Sequence, residues 1–105
     1  MDDILVRASD IPWEDASGHA PGMHRKVLLR GADGAPRVAL LKLDAGFAMD
    51  AHSHAAVENH YVLEGMYEAG GREFTVGTYH RIPKHQTHGP FRSGGGALVL
   101  VFWEP

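Results

Sequence analysis

Eight histidines stand in a chain of 105 residues, and six of them (His52, His54, His60, His80, His85 and His88) fall between positions 52 and 88. Imidazole carries protons near neutrality and binds transition metals, so this stretch is where chemistry is to be sought. His52 and His54 are two apart. On a strand that spacing places both side chains on one face, whereas on a helix they point to nearly opposite sides and cannot chelate together. Glu58, four residues further on, can supply an oxygen donor. Neutral imidazoles with one carboxylate suit a first-row divalent ion such as Fe(II), Mn, Ni, Cu or Zn. The same pair also suits two solvated histidines beside a turn.

Other polar residues in the stretch carry two readings each. His60 is two after Glu58, so on a regular strand it shares that face. It can be a further ligand, a hydrogen-bond donor behind a ligand, a proton handler near neutral pH, or a satisfied histidine in the wall. His60 is the candidate catalytic residue. His80 has no fixed strand phase, and His85 is expected on a solvated turn. Tyr61 and Tyr79 serve either packing or proton donation. Arg81 and Arg92 can each grip a substrate carboxylate with two parallel hydrogen bonds, or simply face water. His19 and His24 lie away from these residues and carry no signal.

The elements that must hold these groups are strands. Helical periodicity is absent, and short apolar or alternating runs are broken by Gly and Pro. Strands are expected over Ile4–Arg7, His24–Arg30, Arg37–Leu43, Val57–Glu64, Met66–Ala69, Arg72–Val76, Thr78–Ile82, Pro90–Arg92 and Ala97–Phe102, with one helical turn near Pro12–Ala16. Turns fall at Gly31-Ala32-Asp33-Gly34, Asp44-Ala45-Gly46, Gly70-Gly71 and Gly94-Gly95-Gly96. That pattern is an all-β sandwich or barrel. Val38–Leu43 and Ala97–Phe102 are almost wholly apolar, so each either crosses between two sheets or turns its second face to another subunit. A homodimer is expected.

Length and charge bound the rest. The chain is long enough for one domain, 1–105, and for a modest core. Ten Lys+Arg against 13 Asp+Glu give a net charge of −3, which argues against a nucleic-acid or anionic-membrane surface. The absence of cysteine removes disulfides, thiolate metal sites and thiol nucleophiles. The longest apolar run, Ala97–Trp103, falls far short of the roughly 18 residues a membrane span needs. The opening Met1-Asp2-Asp3 is acidic where a secretory signal is basic, so a cytoplasmic location is expected.

Spacing supplies one more observation. Gly46, five residues, His52, one, His54, three, Glu58, six, Gly65 is followed by Gly77, five residues, Pro83, four, His88. These stretches resemble the two motifs of the cupin superfamily, small double-stranded β-helix (jelly-roll) barrels that hold a metal in the barrel mouth. The second stretch departs from the pattern at His85, where the family has glycine, and at Arg92, where it has asparagine. Trp13, Pro21-Gly22 and Lys26-Val27-Leu28 are similar to a single-domain subgroup that includes the cupin domain of zinc-binding anti-sigma factors and small metal-dependent dioxygenases.

The resemblance implies His52, His54, Glu58 and His88 as ligands of one divalent transition metal (Fe, Mn, Ni, Cu or Zn). It implies an oxygenase acting on a small enolisable or aromatic compound, with His60 handling protons. Two alternatives stay open: a zinc-binding sensor or ligand-binding cupin without catalysis, and a non-redox metal-dependent isomerase or lyase. The expected partners are a small molecule and a second copy of the chain, with no nucleic acid and no membrane.

Overall fold

Alternation of apolar and polar residues over short runs leaves the backbone one economical solution, antiparallel pairing with the apolar rows turned together. The computed structural model describes residues 2–16 and 20–105, and His19 lies outside the described residues. Ten strands form: β1 (Glu14–Asp15), β2 (Met23–Arg30), β3 (Pro36–Leu43), β4 (Phe47–Met49), β5 (Glu58–Gly65), β6 (Tyr67–Ala69), β7 (Arg72–Phe74), β8 (Tyr79–Ile82), β9 (Phe91–Ser93) and β10 (Ala97–Trp103). They make a six-stranded sheet ordered β1-β2-β3-β10-β5-β8 and a four-stranded sheet ordered β4-β9-β6-β7. The all-β expectation holds. The two sheets remain separate hydrogen-bonded units rather than one closed barrel.

The core lies between them. Leu43, Val62, Val99 and Val101 come from the larger sheet, and Phe47, Tyr67, Ala69, Phe74 and Phe91 from the smaller one. Register explains the pattern. Val101 sits opposite both Ala39 and His60, and Val99 opposite both Leu41 and Val62, so inward residues form rows across β3, β10 and β5. Tyr67 stacks on Phe74 with ring centroids 4.9 Å apart.

Several sequence expectations need correction. Residues 4–7 form no strand. Ile4, Leu5 and Val6 are exposed and unpaired, and the chain turns through one 3-10 turn at Ala8–Asp10. The turn expected near Pro12–Ala16 is instead the short strand β1, drawn straight by pairing with His24 and Arg25. The strand β4 has no alternation long enough to be seen in three residues, and pairing with β9 alone defines it. The two apolar strands β3 and β10 do not cross between sheets. They lie side by side in the larger one, with Leu40, Leu100 and Phe102 on its outer face. No helix among the described residues is long and apolar enough to cross a membrane.

Candidate metal centre

His52 and His88 face one another across an isolated antiparallel bridge. The His52 N–H donates to the His88 carbonyl at 2.9 Å, and the His88 N–H donates back at 2.8 Å. This bridge lies just beyond the end of the β4–β9 pairing, so the sheet register fixes where both rings start. His54 lies on an irregular segment rather than a strand, and its carbonyl is held by the His85 N–H at 2.7 Å. The three rings converge. His52 is 4.4 Å from His54 and 4.9 Å from His88 between centroids, and His54 is 5.0 Å from His88. One ring nitrogen from each lies within 4.8 Å of the other two, so the three histidines can bind one ion.

Hydrogen bonds choose which nitrogens face inward. The His52 Nδ1 is 3.0 Å from the Asp50 carbonyl, which can only accept, so Nδ1 carries the proton and Nε2 keeps its lone pair. The His54 Nδ1 is 2.9 Å from Glu58 Oε2, with the same consequence. Glu58 is buried, and its Oε1 accepts from His60 Nε2 at 2.9 Å. The other His60 nitrogen, Nδ1, is 3.0 Å from the Tyr67 hydroxyl. Tyr67 is therefore the donor to His60, His60 the donor to Glu58, and Glu58 the acceptor that orients His54. Burial pushes the Glu58 carboxyl up, but the His60 hydrogen bond and the His60 and His54 charges outweigh it and leave it below its ordinary value. Burial and the Glu58 charge push the Tyr67 phenol up, so it stays protonated.

Both His88 ring nitrogens are buried with no hydrogen-bond partner. A buried imidazole left unpaired costs roughly 1–3 kcal/mol, and the neutral ring has one N–H and one lone pair, so the arrangement calls for a ligand to that lone pair. Burial first, then the His52 and His54 charges, lower the His88 pKa to about 4. His88 is thus neutral near pH 7, the form that binds metal. The donor set fits a divalent ion.

A pH dependence follows with a definite sign. A histidine whose folded pKa is depressed contributes stability that is present above the unfolded pKa near 6.5 and lost as pH falls toward the folded value. Thermal melting of metal-free protein should move to lower temperature between pH 6.5 and about 4, and a flat profile across that window would contradict this.

A family model described as the ChrR cupin-like domain matches residues 1–105. The chain belongs to the ChrR cupin-like family. A search of curated proteins finds no significant match. Solved structures of the same fold include an RmlC-like cupin from Shewanella frigidimarina NCIMB 400, 22% identical with a TM-score of 0.78, covering 99% of this chain and 92% of that one. The anti-sigma factor ChrR of Rhodobacter sphaeroides, solved in complex with SigE, is 23% identical with a TM-score of 0.73, over 93% of this chain and 52% of that one. A proposed acetylacetone dioxygenase from Methylibium petroleiphilum PM1 is 16% identical with a TM-score of 0.82, over 100% of this chain and 79% of that one.

In this cupin the three histidines open onto a cavity of about 480 Å³. Its walls are largely apolar, with Met23, Leu41, Phe47, Met49, Phe91 and Val99 among them. Glu58, His60, Tyr67 and Trp103 also line it. His80, whose phase the sequence left open, stacks on Phe74 at 4.7 Å with a buried, unpartnered Nδ1, outside the cavity. His85 occupies a turn at φ 63°, the left-handed region that glycine adopts without strain. Tyr61 and Tyr79 are exposed on the outer sheet face. Arg81 is held by Glu104 through two hydrogen bonds, at 2.7 and 3.0 Å, and Arg92 is exposed on β9, so neither reaches the cavity. Sequence reasoning missed Tyr67, Arg25 and Arg37. Tyr67 stands two residues past the glycine closing the first motif, while the arginines sit on strands far from either motif.

Proposed function

We propose that this cupin is a metal-dependent oxygenase of a small enolisable or aromatic compound. The observation that carries the reading is the position of the three convergent histidines. They stand in the wall of a mostly apolar cavity of about 480 Å³, a size suited to a small organic ligand. A structural metal site is normally closed on all sides, whereas a working one keeps a face toward substrate.

His52, His54 and His88 would hold the metal, while Glu58, expected as a fourth ligand, has its two oxygens on His54 and His60 and would support His54 instead. A divalent ion held there would supply a Lewis-acid centre at the cavity wall. His60 is placed to hold a proton at Nε2 against Glu58 and to exchange it through Tyr67. The apolar walls orient the carbon skeleton and exclude water. Dioxygen is the oxidant, and both of its atoms end in the products as one carbon–carbon bond of the substrate breaks, so no outside reductant is needed.

The test is metal content of untagged protein purified anaerobically without chelator, followed by oxygen uptake on a panel of diketones and ring diols. Stoichiometric iron, manganese, nickel or copper with uptake is the expected result. No uptake by iron-reconstituted protein would count heavily against the reading.

The family match favours a second reading, a cytoplasmic zinc-binding sensor whose cavity takes a signalling molecule. Stoichiometric zinc without oxygen uptake would move the weight there.

The homodimer belongs to the same proposal. Leu40, Leu100, Tyr61 and Tyr79 form one row across the outer face of the larger sheet, beside Phe102 and Leu63. Such a face is best covered by its own copy. Light scattering at micromolar concentration should give twice the 11.4 kDa chain mass, and a monomer mass would refute it.

A further inference from the structure

One charged side chain around the cavity is left without a hydrogen bond or ion pair among the described residues. Five charged side chains line it: Arg25, Asp33, Arg37, Glu58 and Glu104. Four of them are engaged. Arg25 Nε donates to Glu14 at 2.5 Å. Asp33 accepts from the Ala35 N–H at 3.0 Å in its own turn. Glu58 is held by His54 and His60, and Glu104 by Arg81 and Asn59. Arg37 alone makes no hydrogen bond or ion pair among the described residues, although it is half-buried.

Sheet register places Arg37 on the same inward row as the metal-site carboxylate. Val38 pairs with Phe102 on β10, and Trp103 pairs with Glu58 on β5. One step beyond Val38 along β3 is Arg37, and one step beyond Phe102 along β10 is Trp103, so Arg37, Trp103 and Glu58 follow one another across the three strands. Two strand spacings make the backbone separation from Arg37 to Glu58 about 10 Å. The Arg37 side chain runs beside Gly31 and the Asp33 carboxylate of the β2–β3 turn and lines the cavity, so it can bind one end of a molecule whose other end is at the histidines.

We infer that Arg37 is the specificity-determining residue of the cavity and that the ligand is an amphiphile, an apolar body carrying one carboxylate or similar oxyanion. The apolar walls take the body and Arg37 takes the anion through a bidentate, charge-assisted grip. The inference rests on the reading that substrate occupies this cavity and does not depend on which metal is bound.

The experiment measures calorimetric affinities of metal-free protein for hexanoate and 4-phenylbutyrate, each beside its primary amide. The parent should prefer each carboxylate over its amide by about tenfold or more. Arg37→Gln should abolish that preference while leaving amide binding and thermal melting unchanged. Arg92→Gln, which removes the same charge outside the cavity, should keep it. No carboxylate preference in the parent overturns the inference. So does a preference that survives Arg37→Gln, or one that appears only after zinc is added, since the metal would then be the anion's partner. A preference that depends on Arg37 in a protein without oxygen uptake keeps the inference and removes the oxygenase reading.

Discussion

His88→Leu is expected to strip the protein of its metal without weakening the metal-free fold. The loss should be at least about 100-fold in affinity, because even residues that only support a metal ligand are worth 10–100-fold. Stability should move differently. In metal-free protein both His88 nitrogens are buried without a partner. An apolar side chain of similar size removes that penalty and packs beside Phe91, whose ring lies 4.9 Å from that of His88. The melting temperature of chelated variant should equal or exceed that of chelated parent. With metal the order reverses, since the ion stabilises only the protein that binds it. A variant that melts well below the parent in chelator would show that His88 is structural.

Gly65→Ala should produce the largest loss of stability of any glycine-to-alanine change among the described residues. Gly65 has φ 70°, and a Cβ built there would lie 2.2 Å from the Gly96 carbonyl oxygen and 3.0 Å from Ala97 Cα. Both neighbours are backbone, and Ala97 is the strand partner of Gly65. The left-handed conformation costs an L-residue about 1–2 kcal/mol, and moving the β5–β10 pairing adds to it. A destabilisation of about 3–5 kcal/mol is expected by chemical denaturation. A value under about 1 kcal/mol would mean the two strands separate easily at this end.

Much of this was legible in the residues. The fold class followed from strand-length runs and glycine turns, and the closeness of His52 and His54 from their spacing, although His54 lies on an irregular segment rather than the strand that the spacing argument assumes. His88 entered through the resemblance alone, since nothing local distinguishes it from His85. The strand β4 and the bridge between His52 and His88 were invisible because pairing, rather than local preference, creates them. Tyr67 and Arg37 were missed for the same reason. Tyr67 reaches His60 through three-dimensional packing, and Arg37 becomes notable only when every other charge in the cavity is seen to be engaged. Arg81 looked free in the sequence because its partner, Glu104, is 23 residues away.

The bridge between His52 and His88 also bears on the order of assembly. Two of the three convergent imidazoles hang from backbone positions that meet only after β5 through β8 have been laid down between them. Closing so long an excursion is entropically unfavourable until the intervening strands have condensed. A nascent or half-folded chain therefore presents His52 and His54 as a weak bidentate lure and withholds the third nitrogen. Tight capture of an ion becomes a certificate of finished topology, and a cell that loads this protein with the wrong metal can do so only after the chain has folded.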